Sequence, residues 1–156
     1  MLNNKKIRYI HLIVIFLTIV ICMYQSLSKG WVSFILIPLS VFVLPIYAFF
    51  GYKSLNTNAG PYKLWIRLTG YLLTFFVLIF YVGTVGIGDT DRVLLFGFYN
   101  STDTSQVTQI SENASRAAFF LGPATLLLLI VLLIANNMKK SNKTKYTNKN
   151  EYIRLP

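Results

Sequence analysis

Charge is what this sequence has least of. Of its 156 residues only 13% are Asp, Glu, Lys or Arg, about half the share of a soluble domain. The shortage is sharpest for the acidic side. Asp89, Asp91, Asp103, Glu112 and Glu151 are all there are, and none falls inside an apolar run. Transport that relies on a carboxylate buried in a membrane therefore has no residue to use. Cysteine occurs once, as Cys22, which excludes an intramolecular disulfide and a cysteine-based metal cluster. Ile21 precedes it where a lipoprotein cleavage site needs a small residue, so Cys22 reads as a packed thiol. Histidine also occurs once, as His11. There is no HExxH motif, no Gly-rich phosphate loop with its lysine, and no Ser-His-Asp set on one side of a membrane. The expectation is a chain with no catalytic residue, no metal and no cofactor.

What the chain does have is apolar residues in blocks. Hydrophobic residues make up 54% of it, and they gather in four runs near the roughly 20 residues of helix that a hydrocarbon core demands. The spacing predicts an all-α integral membrane protein with four transmembrane helices, about residues 7–28, 31–52, 62–85 and 117–136. Residues 1–136 then form one membrane domain, residues 86–116 a large outer loop, and residues 137–156 a basic, disordered tail. The connection between the first two runs is very short, so they form an antiparallel hairpin, and the whole is expected to be an antiparallel bundle.

Basic residues set the orientation. With the amino terminus inside, Lys5, Lys6, Arg8, Lys53, Lys63, Arg67 and the six Lys and Arg residues after position 136 are cytoplasmic. Only Lys29, Arg92 and Arg116 are outside, a ratio of 12 to 3 that follows the positive-inside rule. Four of the five acidic residues fall outside. Both termini are expected in the cytoplasm. The net charge of +10 is accounted for by this asymmetry and calls for no nucleic acid partner. The expected partners are the bilayer, anionic lipid headgroups held by the basic tail, and another membrane protein. Composition rich in Asn, Lys and Ile and poor in Ala points to a bacterial cell membrane.

Residues 84–89, Thr84, Val85, Gly86, Ile87, Gly88 and Asp89, read TVGIGD. The hexapeptide resembles the selectivity filter of potassium channels, T-V-G-Y-G-D, with Ile87 in place of the aromatic. The resemblance implies a re-entrant loop whose backbone carbonyls replace an ion's hydration shell, four copies around one axis. Charge placement opposes it. A re-entrant loop here leaves three spans and moves Lys5, Lys6, Arg8, Lys53, Lys63 and Arg67 outside. The hexapeptide is therefore expected at the outer exit of the third span, where glycine suits a helix end.

Polar residues inside the spans recur by seven: His11, Thr18 and Gln25 in the first, Ser33, Ser40 and Tyr47 in the second, Thr74 and Tyr81 in the third. Such seams suit hydrogen bonds between helices. Pro38 and Pro45 lie on another stripe of the second span and are expected to kink it. The functional expectation is a small non-catalytic accessory, immunity-type or regulatory membrane protein that binds another membrane component. The alternative is a small channel or transporter that uses the seams.

Overall fold

The structure, a computed structural model, describes residues 4–29, 32–84, 86–87, 93–95, 99–101 and 106–152, with side chains over 9–29, 32–84 and 109–139. Among them the helices are α1 (Asn4–Ser28), α2 (Ser33–Leu55), α3 (Lys63–Gly83) and α4 (Gln106–Tyr152). Each contains a stretch long and apolar enough to cross a membrane: Tyr9–Ser28, Ser33–Leu55, Lys63–Gly83 and Gln109–Lys139. Between α3 and α4 run three short strands, β1 (Gly86–Ile87), β2 (Val93–Leu95) and β3 (Tyr99–Ser101). They pair as an antiparallel meander in which Ile87 faces Val93 and Leu95 faces Tyr99.

The fourth helix extends beyond both ends of the span expected within it. It begins at Gln106, inside the stretch read as a loop, because the polar residues there are used in packing: Ser111 and Ser115, one turn apart, are both buried. It continues through residues 137–152, read from composition as a disordered tail. No Gly or Pro occurs between Pro123 and Pro156, so nothing in the sequence breaks the helix there. The second helix likewise runs without interruption through Pro38 and Pro45.

The packing centres on α3. It carries α4 along one side and α1 with α2 along another, while α2 and α4 touch only lightly. Close approach of α2 and α3 depends on Gly70, where a Cβ would collide with the Ser54 hydroxyl. A second tight point joins α4 to the α2–α3 connection. Gly60 there has φ +113°, a left-handed conformation suited to glycine. Asn136 closes over it, accepting from the Tyr62 amide at 3.2 Å and donating to the Ala59 carbonyl at 3.1 Å.

Burial departs from that of a water-soluble protein on both sides of its aliphatic core. Thr18, Ser26, Ser40, Ser54 and Thr74 are buried, while Phe16, Phe34, Phe42 and Phe120 each expose about two thirds or more of their surface. In water this arrangement wastes the hydrophobic effect. Against hydrocarbon it leaves apolar rims where they are stable and hides hydroxyls from a medium that cannot bond them.

Candidate functional site

The polar stripes meet in the interior of the α1–α2–α3 group. His11, Thr18 and Gln25 of α1, Ser40 and Tyr47 of α2, and Thr74 and Tyr81 of α3 are all buried; Ser33, at the start of α2, is half-buried. Most of their hydrogen bonds are made to one another or to the preceding helical turn. The Tyr47 hydroxyl donates to Thr74 Oγ1 at 3.2 Å, and Thr74 donates in turn to the Gly70 carbonyl at 3.0 Å. Thr18 donates to Val14 and lies beside Tyr47. Ser40 and Ser26 are 2.8 Å apart, and each also donates to its own helix, Ser40 to the Leu36 carbonyl and Ser26 to the Cys22 carbonyl. Two hydroxyl protons serve those three contacts, so one proton is shared between acceptors. Tyr81 lies next to Ser40 and Cys22. At the other end of the seam His11 Nε2 is 3.2 Å from the Tyr71 hydroxyl, with Asn56 and Arg67 nearby.

Three participants were not marked by the heptad spacing. Ser26 neighbours Gln25 in the chain but bonds across to α2. Tyr71 is the partner of His11, and Lys29 is completely buried. Position beside a seam residue is the only sequence signal for Ser26. Nothing local signals Tyr71, which is 60 residues from His11.

The TVGIGD segment divides at the helix end. Thr84 caps α3 in an extended conformation, its hydroxyl donating to the Phe80 carbonyl and lying 2.9 Å from the Ser115 hydroxyl. Gly86 and Ile87 form β1, paired with Leu94 and Val93 of β2. Val85, Gly88 and Asp89, like Asp91, Arg92 and Asp103, lie outside the described residues. The last carbonyls of α3, which a helix end leaves without partners, are met from neighbouring elements. Ser111 donates to Gly83 at 2.8 Å, Ser115 to Phe80 at 3.2 Å, and Lys29 Nζ to Val82 at 3.4 Å. An ammonium beside a helix C-terminus sits against its partial negative charge. Burial nevertheless dominates and pushes the Lys29 amine down to about 8.

A recess of about 180 Å³ opens between α2 and α4, floored by α3. Leu39, Val43 and Ile46 form one wall, Phe76 and Phe80 the floor, and Phe119, Gly122 and Pro123 the other wall. Almost no polar atom faces it. A Cβ built on Gly122 would meet nothing within 4 Å, so this glycine leaves space unfilled. Arg116 stands on the same side of α4, three and seven residues before Phe119 and Pro123. It is exposed and paired with Glu112 at 2.7 Å. No protein-family model, curated protein or solved structure matches the chain.

Proposed function

We propose that this chain is a small, non-catalytic multi-pass protein of a bacterial cell membrane. In this reading it acts as an accessory, immunity-type or regulatory protein and binds another membrane component through the recess between α2 and α4. The observation that carries this reading is a contrast between two internal features. The middle of the polar seam is tied together by hydrogen bonds between helices, Ser26 with Ser40 and Tyr47 with Thr74. Only His11 Nδ1, Ser33 Oγ and the Tyr81 hydroxyl among its other described groups stay buried without a partner, whereas the recess is apolar, lateral and unfilled. Hydroxyls bonded across helices favour helix association, and scattered unpartnered groups with no polar cavity beside them do not make the continuous, water-holding path a solute needs. The alternative of a channel or transporter rests on the same seam residues. Reconstituted into liposomes, the purified protein should pass no ion or solute above the protein-free background. Robust, selective flux would overturn the binding reading.

An antiparallel four-span topology with cytoplasmic termini is part of the proposal. It is supported by which groups come together. Asn136 of α4 meets the α2–α3 connection, with Lys139 over the Tyr62 ring at 4.9 Å, and His11 lies near Asn56 and Arg67. Arg67 and Lys139, both assigned inward by charge, thus lie at contacts of the α2–α3 connection with α1 and α4. Lys29, Thr84 and Ser115 lie together at the far end of α3. Single cysteines at Ser105 and Lys143 should react with an impermeant thiol reagent from outside and inside respectively. Native Cys22, fully buried, stays silent in that assay.

A further inference from the structure

We infer that the recess between α2 and α4 is a phospholipid site. It takes one acyl chain of a lipid from the leaflet on the Thr84 side, with the lipid phosphate at Arg116. This rests on the membrane-binding reading above and names its component.

The size of the recess selects the occupant first. An apolar cavity of about 150 Å³ admits benzene and stays dry, so about 180 Å³ holds a chain a few carbons across and is far too narrow for a helix of about 10 Å diameter. Its lining offers almost no polar surface to a headgroup, a peptide or water. The part of a ligand inside it must be hydrocarbon.

Position selects the leaflet. On α3 the lining runs from Leu73 to Tyr81 and on α4 from Ala118 to Leu126. At 1.5 Å per residue each is about 12 Å long, close to the thickness of one leaflet of a roughly 30 Å hydrocarbon core. Both segments lie in the half of the bundle that ends at Thr84 and Ser115. The recess therefore begins near that interface and stops near the middle of the bilayer.

Charge then places the headgroup. Helical side chains lean toward the helix N-terminus, so Arg116 reaches from its position above Phe119 toward the interface, away from the apolar floor. Its Nη2 is engaged by Glu112. A guanidinium carries five N–H donors, so the pair leaves donors for a phosphate. The two-turn stripe Arg116, Phe119, Pro123 thus offers a cation, then an aromatic wall, then the glycine-opened notch beside Pro123. That is the order of phosphate and acyl chain in a glycerophospholipid.

The test uses the full chain in nanodiscs doped with a phospholipid carrying a diazirine midway along one acyl chain. After photolysis, adducts are mapped by peptide mass spectrometry. Adducts at Phe76, Phe80 and Phe119 should exceed those at Phe34 and Phe42, exposed residues outside the recess, several-fold, and should saturate as the labelled fraction rises. Gly122→Leu should remove them while leaving labelling at Phe42, and Val43→Phe, filling from the opposite wall, should do the same. Arg116→Gln should raise the probe fraction needed for half-saturation. Even labelling around the bundle means ordinary boundary lipid and overturns the inference. A photoreactive phenylalanine analogue at Phe119, activated in cell membranes, separates the two levels. A lipid-sized adduct supports the site. A protein-sized adduct overturns the lipid assignment and leaves the binding reading standing, while the absence of any adduct overturns both.

Discussion

The hydroxyls of Ser26 and Ser40 lie 2.8 Å apart where α1 crosses α2, and neither is exposed. Each also bonds to the carbonyl four residues earlier, so two hydroxyl protons serve three contacts. Hydrogen bonds between membrane helices contribute roughly 0.6 to 2 kcal/mol each. Ser26→Ala and Ser40→Ala should therefore each destabilise the bundle by about 1 kcal/mol. The double variant should cost little more than either single one, because both remove the same contact. Reversible unfolding in bicelles, run as a double-mutant cycle, measures this; full additivity would mean the hydroxyls act only within their own helices.

Gly60 is held by conformation and by a neighbour. Alanine at φ +113° is strained by more than about 1 kcal/mol, and its Cβ would also strike the Asn136 amide. Gly60→Ala should be clearly destabilising in the native chain. In an Asn136→Ala background it should cost less, since the collision is gone and the backbone strain alone remains. Equal costs in both backgrounds would show that Asn136 does not press on this turn.

The end of α3 depends on side chains from elsewhere. Ser111→Ala leaves the buried Gly83 carbonyl without its donor, at a cost of about 1–3 kcal/mol. The local signature should be faster amide exchange over residues 81–84, with exchange at residues 66–74 unchanged. Uniform acceleration along α3 would mean that the bond supports the whole packing and not the helix end.

Lys29 predicts a pH dependence with a definite sign. Its amine titrates near 8 when buried and near 10.4 in an unfolded chain. Between those values the unfolded state holds more protons, so stability rises with pH. The cost of burying the charge is present in full below pH 8 and is relieved as the pH climbs toward 10. Lys29→Met should be more stable than the native chain at pH 7 and should lose this rise. A native stability profile flat from pH 7 to 10 would contradict the burial of the amine.

How legible these features are in the sequence depends on the length scale of the interaction. Apolar runs of some 20 residues carry their own evidence, and the four apolar stretches appear close to where the runs place them. The seven-residue spacing of His11, Thr18 and Gln25 is also local, since it needs only the helical repeat to put them on one stripe. Partners are different. Ser26 with Ser40, His11 with Tyr71 and Ser111 with Gly83 are 14, 60 and 28 residues apart, and each pairing follows from how two helices are rotated against one another. The start of α4 was hidden for a related reason. Ser111 and Ser115 look like loop residues until α3 supplies the carbonyls that make them interior. Lys29 looks like a solvated loop charge until the same helix end covers it. The recess left no mark at all, because it comes from what Gly122 omits and from the gap between α2 and α4.

The outward-facing aromatic and aliphatic side chains of this bundle have a thermodynamic consequence. A large heat capacity of unfolding arises when apolar surface is transferred to water. Separating these helices within a bilayer would move the buried Leu, Ile and Tyr side chains, together with the seam's hydroxyls, from protein to hydrocarbon, and little apolar surface would meet water. The heat-capacity change should then be small, and the stability should vary almost linearly with temperature. Such a bundle has no reason to loosen in the cold, since the force that weakens on cooling in soluble proteins is not the one that holds its helices together.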